Sequence, residues 1–210
     1  LLEYSYSPNL AELNIPNRNL SFMGYRRKSG EVGIRNEIWV IPTVGCVNGI
    51  VNRLADSLRR ETGSVNVDAI VAFPHNYGCS QLGNDHENTR KILRDMVLHP
   101  NAGAVLVVGL GCENNQLSAF KGLLGEYDAE RIRFMECQKV DDEYEEGMDI
   151  LRQLYDIASQ DARGSSFKRT ESRVEVRRID GFSGITANPL WGYFRFSGCS
   201  GRYICSYRSA

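Results

Sequence analysis

Four times along this chain a hydrophobic, β-branched run ends at a cysteine that is followed within a few residues by Asn or Gln. The four segments are IWVIPTVGCVN (Cys46, Asn48), AIVAFPHNYGCSQ (Cys79, Gln81), AVLVVGLGCENNQ (Cys112, Gln116) and IRFMECQ (Cys137, Gln138). A thiolate is a soft metal ligand and a nucleophile, and a neutral carboxamide pairs well with sugar hydroxyls or carboxylates. A helix that begins just after each cysteine adds free backbone N–H groups, which suit an anion. Together these groups fit a polar, anionic small molecule. The plainer reading of any one cysteine is a small buried residue where a strand meets a turn.

Other residues near these segments carry chemistry of their own. His75 lies four residues before Cys79 in the same loop and reads as a metal ligand or base, or as a histidine satisfied within its turn. Glu113 directly follows Cys112 and reads as a general base or ligand, or as an acid favoured in a helix's first turn. Arg35 and Asn36 stand just before the first core strand and could clamp a carboxylate, since guanidinium matches it bidentately; a surface pair is the alternative. His86, Glu87 and His99 read as capping or dipole-paired residues. GLGCEN has Gly109 and Gly111 in GxG spacing, but Asn114 stands where a dinucleotide fingerprint needs its third glycine.

The elements that must position these groups follow from the same periodicities. Cys46 to Cys79 and Cys79 to Cys112 are both 33 residues apart, the length of one strand-helix unit. The hydrophobic runs predict strands at 38–44, 69–73, 104–108 and 132–136. NGIVNRLADSLRRETG has helical apolar spacing that Gly63 ends. HENTRKILRDMVLH predicts a second helix, with Asn84 and Asp85 as candidate caps and Pro100 beyond its end. A third is predicted over 113–124, and DDEYEEGMDILRQLYDIAS reads as an acid-started amphipathic helix. Lys28-Ser29-Gly30 has turn composition between two strand-like runs, which predicts a hairpin feeding the first core strand. Four alternations of strand and helix predict an α/β fold with a doubly wound, mainly parallel sheet and helices on both faces. In such a sheet all strand carboxyl ends share one edge, where ligands bind, so the cysteine loops would converge there.

Composition narrows the classes. The chain has 210 residues, 42% of them hydrophobic, which is enough for a real core. A formal net charge of −1 gives no basic field for nucleic acid. No apolar stretch is long enough to span a membrane and the first residues lack a signal pattern, so the chain reads as soluble and cytoplasmic. Six cysteines with no CxxC pair favour free thiols or metal ligands over bridges. Residues 1–20 carry no periodicity and read as a linker or the tail of an upstream domain, 21–160 as a Rossmann-like domain. Residues 161–210 are charged, Ser-rich and then irregular.

Three segments, GYRRKSGEVGIRNEIWVIPTVGCVN, HNYGCSQLGNDHENTRKILRDMVLHPNAGAVLVVGLGCENNQ and DGFSGITANP, resemble the D-altronate and D-galactarate dehydratase family. The resemblance runs from about residue 22 to about 190. It implies a hydro-lyase of hexuronate catabolism that removes water from a sugar acid. The implied reaction takes D-altronate to 2-dehydro-3-deoxy-D-gluconate, with galactarate dehydration or a related lyase reaction as the alternative. It further implies iron(II), or manganese(II), as the cofactor. On that basis the expected roles are Cys46, Cys79 and Cys112 near the metal, His75 and Glu113 as catalytic groups, Arg35 and Asn36 on the carboxylate, and Asn48, Gln81 and Gln116 on hydroxyls. The expected partner is a small sugar acid, with neither nucleic acid nor membrane, and a homo-oligomer is compatible with this reading. A non-catalytic sugar-acid-binding module and a redox protein built on clustered cysteines are the readings from other classes.

The chain departs from the family's pattern in three places. Members carry a small N-terminal domain before this one. A Cys-Gly-Gly-Ser stretch precedes their DGFSGITANP segment, where this chain has Val176 to Ile179. Beyond Leu190 they continue into a large C-terminal portion, whereas WGYFRFSGCSGRYICSYRSA resembles nothing in them. Residues 161–210 therefore read as a truncated or aberrant start of that portion, in which Cys199 and Cys205 carry no function.

Overall fold

The computed structural model describes residues 22–63 and 66–167. The chain divides into two compact units. One is Met23–Ser165; the other joins Leu1–Phe22 to Ser166–Ala210, and within it only Phe22, Ser166 and Phe167 belong to the described residues. The expected linker over 1–20, the DGFSGITANP segment, Cys199 and Cys205 lie outside them.

The strands are β1 (Phe22–Arg26), β2 (Val32–Gly33), β3 (Glu37–Pro42), β4 (Ala69–Ala72), β5 (Ala102–Gly109), β6 (Ile132–Glu136) and β7 (Gly164–Phe167). The α-helices are α1 (Asn48–Glu61), α2 (Gly83–Val97), α3 (Leu117–Leu124) and α4 (Glu143–Ser159). Four strands form a parallel sheet in the order β4-β3-β5-β6, with Ile38 beside Ile70 and Ala104, and Val107 beside Phe134. The expected doubly wound α/β fold is therefore present. The hairpin is present too: β1 and β2 pair antiparallel across the turn that contains Lys28-Ser29-Gly30. A smaller sheet has the order β2-β1-β7.

The sheet is covered on both faces because its central strands are apolar on both. All six residues of β3 are buried, as are seven of the eight in β5. Successive side chains on a strand point to opposite faces. Ile38, Val40, Leu106 and Val108 therefore pack with Leu54, Leu58, Met148, Leu151 and Leu154 from α1 and α4. Trp39, Ile41, Val105 and Val107 pack with Leu93, Val97, Leu117, Phe120 and Leu124 from α2 and α3. Gly147 lets α4 approach α1, since a Cβ there would stand 2.7 Å from Leu54. Because right-handed crossovers are the rule, stepping from β3 out to β4 and then back across β3 to β5 places successive helices on opposite faces. That reversal makes the carboxyl ends of β3 and β5 the switch point of the sheet.

Two details differ from the periodicity. The helix expected from 113 begins at Leu117, because Cys112–Gln116 is a turn in which the Glu113 carboxylate is bonded back to the main chain. Asn84 and Asp85 lie inside the first turn of α2, whose N-cap is Leu82, and neither acts as a side-chain cap. Asp142 does cap α4, accepting from the Tyr144 and Glu145 N–H groups.

The amino-terminal edge is held by a polar hub. Asn36, fully buried, donates from Nδ2 to the Asn66 and Ala158 carbonyls at 2.7 and 2.8 Å, and its Oδ1 accepts from Arg27 at 3.0 Å. Arg27 also donates to the Pro100 and Arg35 carbonyls and to Asp161. Asp161 binds Arg131 through both carboxylate oxygens, at 2.7 and 2.8 Å. Burial pushes the Arg27 guanidinium below its ordinary pKa, and Asp161 opposes that push. A Cβ on Gly103 would overlap the Asn36 side-chain oxygen.

Removing Asp161 strands two largely buried guanidinium groups, so Asp161→Ala should destabilise the fold by roughly 3 kcal/mol. Gly103→Ala should cost about 1–3 kcal/mol through the clash with Asn36. Urea unfolding followed by circular dichroism measures both, and an unchanged midpoint in either variant contradicts this account of the hub.

Candidate active site at the carboxyl edge of the sheet

The loops after the four parallel strands meet at the carboxyl edge and are joined largely by main chain. Gly45, after β3, donates its N–H to the Tyr77 carbonyl of the β4 loop at 2.9 Å, and a Cβ on Gly45 would stand 2.6 Å from the His75 carbonyl. Gly78 has φ +97°, a conformation glycine adopts without strain, and a Cβ there would overlap the Thr43 carbonyl. The loops carrying Cys46 and Cys79 are therefore packed backbone to backbone. Asn114 Nδ2 donates to the Gln81 carbonyl at 3.1 Å, which ties the β4 loop to the β5 loop. Gln138 N donates to the Leu110 carbonyl at 3.0 Å and its Nε2 reaches Cys112 Sγ at 3.7 Å, which ties the β5 loop to the segment after β6.

Several expected site residues spend their polar atoms on this joinery. Asn48 forms a two-way clip with the His75 main chain, donating to its carbonyl at 2.8 Å and accepting from its N–H at 3.2 Å. The His75 ring lies between two main-chain groups: Nδ1 accepts from the Tyr77 N–H at 3.2 Å, which leaves Nε2 as the donor to the Pro42 carbonyl at 2.8 Å. Glu113 is buried, at 2% exposure. Its carboxylate accepts from Thr43 Oγ1 at 2.7 Å and from the Leu110 and Gly111 N–H groups at 3.1 and 2.6 Å. Gln81 accepts from the Gly78 N–H at 2.9 Å.

What the edge offers a ligand is different. Cys46, Cys79 and Cys112 are free thiols, and all three are exposed. Gln116 is exposed at the N-cap position of α3 and makes no side-chain bond to that helix. Neither α2 nor α3 has a side-chain cap, in contrast to α4, whereas α1 is entered through a 3-10 turn in which the Gly45 carbonyl accepts from the Asn48 N–H. Tyr77 and Leu82, on the loop that bears Cys79, are exposed at 58% and 82%.

Arg35 and Asn36 are not part of this edge. Both lie just before β3, at the amino-terminal end of the sheet. There Asn36 is buried in the polar hub, and the Arg35 side chain pairs with Glu37, whose other oxygen accepts from Trp39 Nε1 at 2.7 Å. Nor do the cysteines gather into a metal centre by themselves. Among the described residues, no group of three or more His, Cys, Asp or Glu side chains stands close enough to hold a metal ion.

Two residues at the edge had no signal in spacing. Thr43 continues an apolar strand pattern, yet it is fully buried and joins Glu113. Asn115, also fully buried, donates to the Thr43 carbonyl at 3.2 Å while its Oδ1 has no partner. The ENNQ run hinted at polarity there without saying which amide turns inward.

The four thiols of the edge differ in environment. Cys137 is buried, and its pKa is pushed up to about 12, first by burial and then by the Glu143 carboxylate beside it. The thiolate is the reactive form. Iodoacetamide near pH 8 should therefore modify Cys46, Cys79 and Cys112 and spare Cys137, as read by peptide mass mapping. Comparable labelling of Cys137 would contradict its placement.

Comparison with known proteins agrees with this architecture. A family model described as D-galactarate dehydratase/altronate hydrolase, second domain, matches residues 24–159. The chain is 48% identical to the altronate dehydratase of Escherichia coli (strain K12) and 47% identical to that of Bacillus subtilis (strain 168), each over 194 residues. Each alignment covers 91% of this chain and 39% of the relative. It is 29% identical to the galactarate dehydratase (L-threo-forming) of Escherichia coli (strain K12), over 85% of this chain and 37% of that protein. The chain thus spans about two fifths of the length of the relatives it matches. Since the matched stretch runs from β1 to the last turn of α4 and takes in the whole parallel sheet, the chain belongs to the D-galactarate dehydratase/altronate hydrolase family, of which it carries the second domain.

Proposed function

We propose that this chain provides the α/β part of a sugar-acid dehydratase, a carbon-oxygen lyase that takes D-altronate to 2-dehydro-3-deoxy-D-gluconate and water. The observation that carries this reading is identity of 47–48% with two altronate dehydratases over 91% of the chain, against 29% with galactarate dehydratase. The carboxyl edge supports it chemically. N-termini of α2 and α3 without side-chain caps suit a carboxylate, and the exposed Gln116 suits a hydroxyl of the polyol. The reaction belongs to hexuronate catabolism in the cytoplasm on this reading. Among the described residues, no helix is long and apolar enough to cross a membrane.

Iron(II), with manganese(II) as its substitute, is the cofactor that accompanies this reading, and it would polarise the carboxylate or the departing hydroxyl. The described residues do not fit a metal on their own, since no three donors come together among them. What the chain's own groups do is orient the acid: helix N–H groups hold its negative end at the crevice, and the packed loops after β3, β4 and β5 keep those groups in fixed register.

The test is a product assay on the purified chain, with and without added iron(II), following formation of the 2-keto-3-deoxy acid as its semicarbazone. Altronate should be turned over, with kcat/KM at least about tenfold above that for galactarate, a gap of about 1.4 kcal/mol. Altronate binding without any product would reduce the chain to a binding module. Equal rates on both acids would remove the assignment of altronate.

A further inference from the structure

A cavity of about 520 Å³ opens at the amino-terminal end of the sheet, the end opposite the cysteine loops. It is bounded by the turn between β1 and β2, by the connection from α2 to β5 and by the loop between α3 and β6. That volume is in the range of pockets that hold small organic molecules. Leu98, Pro100 and Tyr127 give it apolar walls, and Arg27 and Arg131 of the polar hub line it as well.

The charges of this hub do not balance. Arg27 and Arg131 both bond to Asp161 and, among the described residues, to no other carboxylate, so the pair keeps one positive charge in excess. Charges this far from water are ordinarily matched. Asp161 takes the Nη1 and Nη2 end of Arg131, and Nη1 also donates to the Gly103 carbonyl at 2.9 Å. The adjoining Nε and Nη2 edge is left over, and it is the fork that matches a carboxylate bidentately. No described residue accepts from Arg131 Nε, and that atom is open to solvent. His99, stacked on Trp39, also lines the cavity. Its Nδ1 accepts from the Asn101 N–H at 3.1 Å and burial lowers its pKa, so the neutral ring carries its proton on Nε2 as a second donor.

We propose that this cavity is a second small-molecule site, separate from the carboxyl edge, that binds an organic acid with one carboxylate on an apolar body. The carboxylate lies on the free edge of Arg131 with His99 as its second donor, and it supplies the negative charge that the hub lacks. The body of the acid lies against Leu98, Pro100 and Tyr127. The rim sets the charge of the ligand. Lys28 neutralises Asp128 at 3.8 Å, whereas Glu31 and Glu126 stand exposed at the mouth and repel a second negative end. A monocarboxylate is therefore accepted and a phosphate ester or dicarboxylate is rejected. This site is independent of the dehydratase reading.

The probe is para-trifluoromethylbenzoate, titrated into the full chain labelled with ¹⁵N at arginine and histidine, with binding followed by fluorine NMR. The expected result is saturable binding with a Kd of about 1 mM or below. The Arg131 Nε and His99 ring resonances should move while those of His75, at the carboxyl edge, stay in place. The corresponding benzyl alcohol, alike in shape but uncharged, should bind at least about tenfold more weakly, and Arg131→Lys, which keeps the charge and loses the fork, should weaken the acid by a similar factor. If Arg131→Lys does not fold, the resonances of the unmutated chain and the alcohol comparison decide. Absence of saturation by about 10 mM acid, equal binding of the alcohol, or movement of His75 in place of His99 overturns the proposal. Inorganic phosphate moving the same resonances as strongly as the acid does also overturns it, because the edge then holds an adventitious ion only.

Discussion

Everything in this molecule depends on two central strands that have no polar face. β3 and β5 are buried on both sides, so neither can lie against water and neither can be covered by one helix layer. The four helices must therefore divide between the faces, α1 with α4 and α2 with α3. With right-handed crossovers, that division requires the chain to reverse its direction across the sheet after β4. The reversal opens the crevice between the carboxyl ends of β3 and β5. A hydrophobic constraint on strand interiors thus decides where polar chemistry can be placed.

The two ends of the sheet spend their polar residues differently. At the amino-terminal edge, Asn36, Arg27, Asp161 and Arg131 are nearly all paired with one another and with carbonyls, and they cross-link segments far apart in sequence. Such a hub holds the chain's geometry, and a cavity of about 520 Å³ lined in part by Arg27, His99, Asp128 and Arg131 opens beside it. At the carboxyl edge the side chains that looked chemical, His75, Asn48 and Glu113, hold loops against one another. The groups left over are helix N–H groups, exposed thiols and a few orphaned polar atoms. Most of the edge is scaffold, and its capacity to bind comes from what the scaffold leaves unsatisfied.

Local pattern carried the fold a long way. Strand runs of β-branched residues and helix periods of apolar residues are short-range signals, and each corresponds to an observed element. The misplacement at 113–116 came from side-chain-to-main-chain bonding, which competes with helix formation and leaves no periodic trace. The same blindness affected the site. Arg35-Asn36 looked like a carboxylate clamp because adjacency to a strand was visible, whereas the end of the strand they precede faces away from the cysteine loops.

By itself, then, the sequence determined the element types, the parallel doubly wound sheet and the placement of Cys46, Cys79 and Cys112 on loops at one edge, since these depend on local hydrophobic period and on strand direction. Family membership was likewise legible in three long segments. Only the tertiary structure decided which polar atoms remain free. That outcome depends on partners tens of residues away: Thr43 for Glu113, Asn48 for His75, Ala119 for Arg90. A hydrogen bond consumes both partners, and no spacing rule can show which of two candidate residues has already been used.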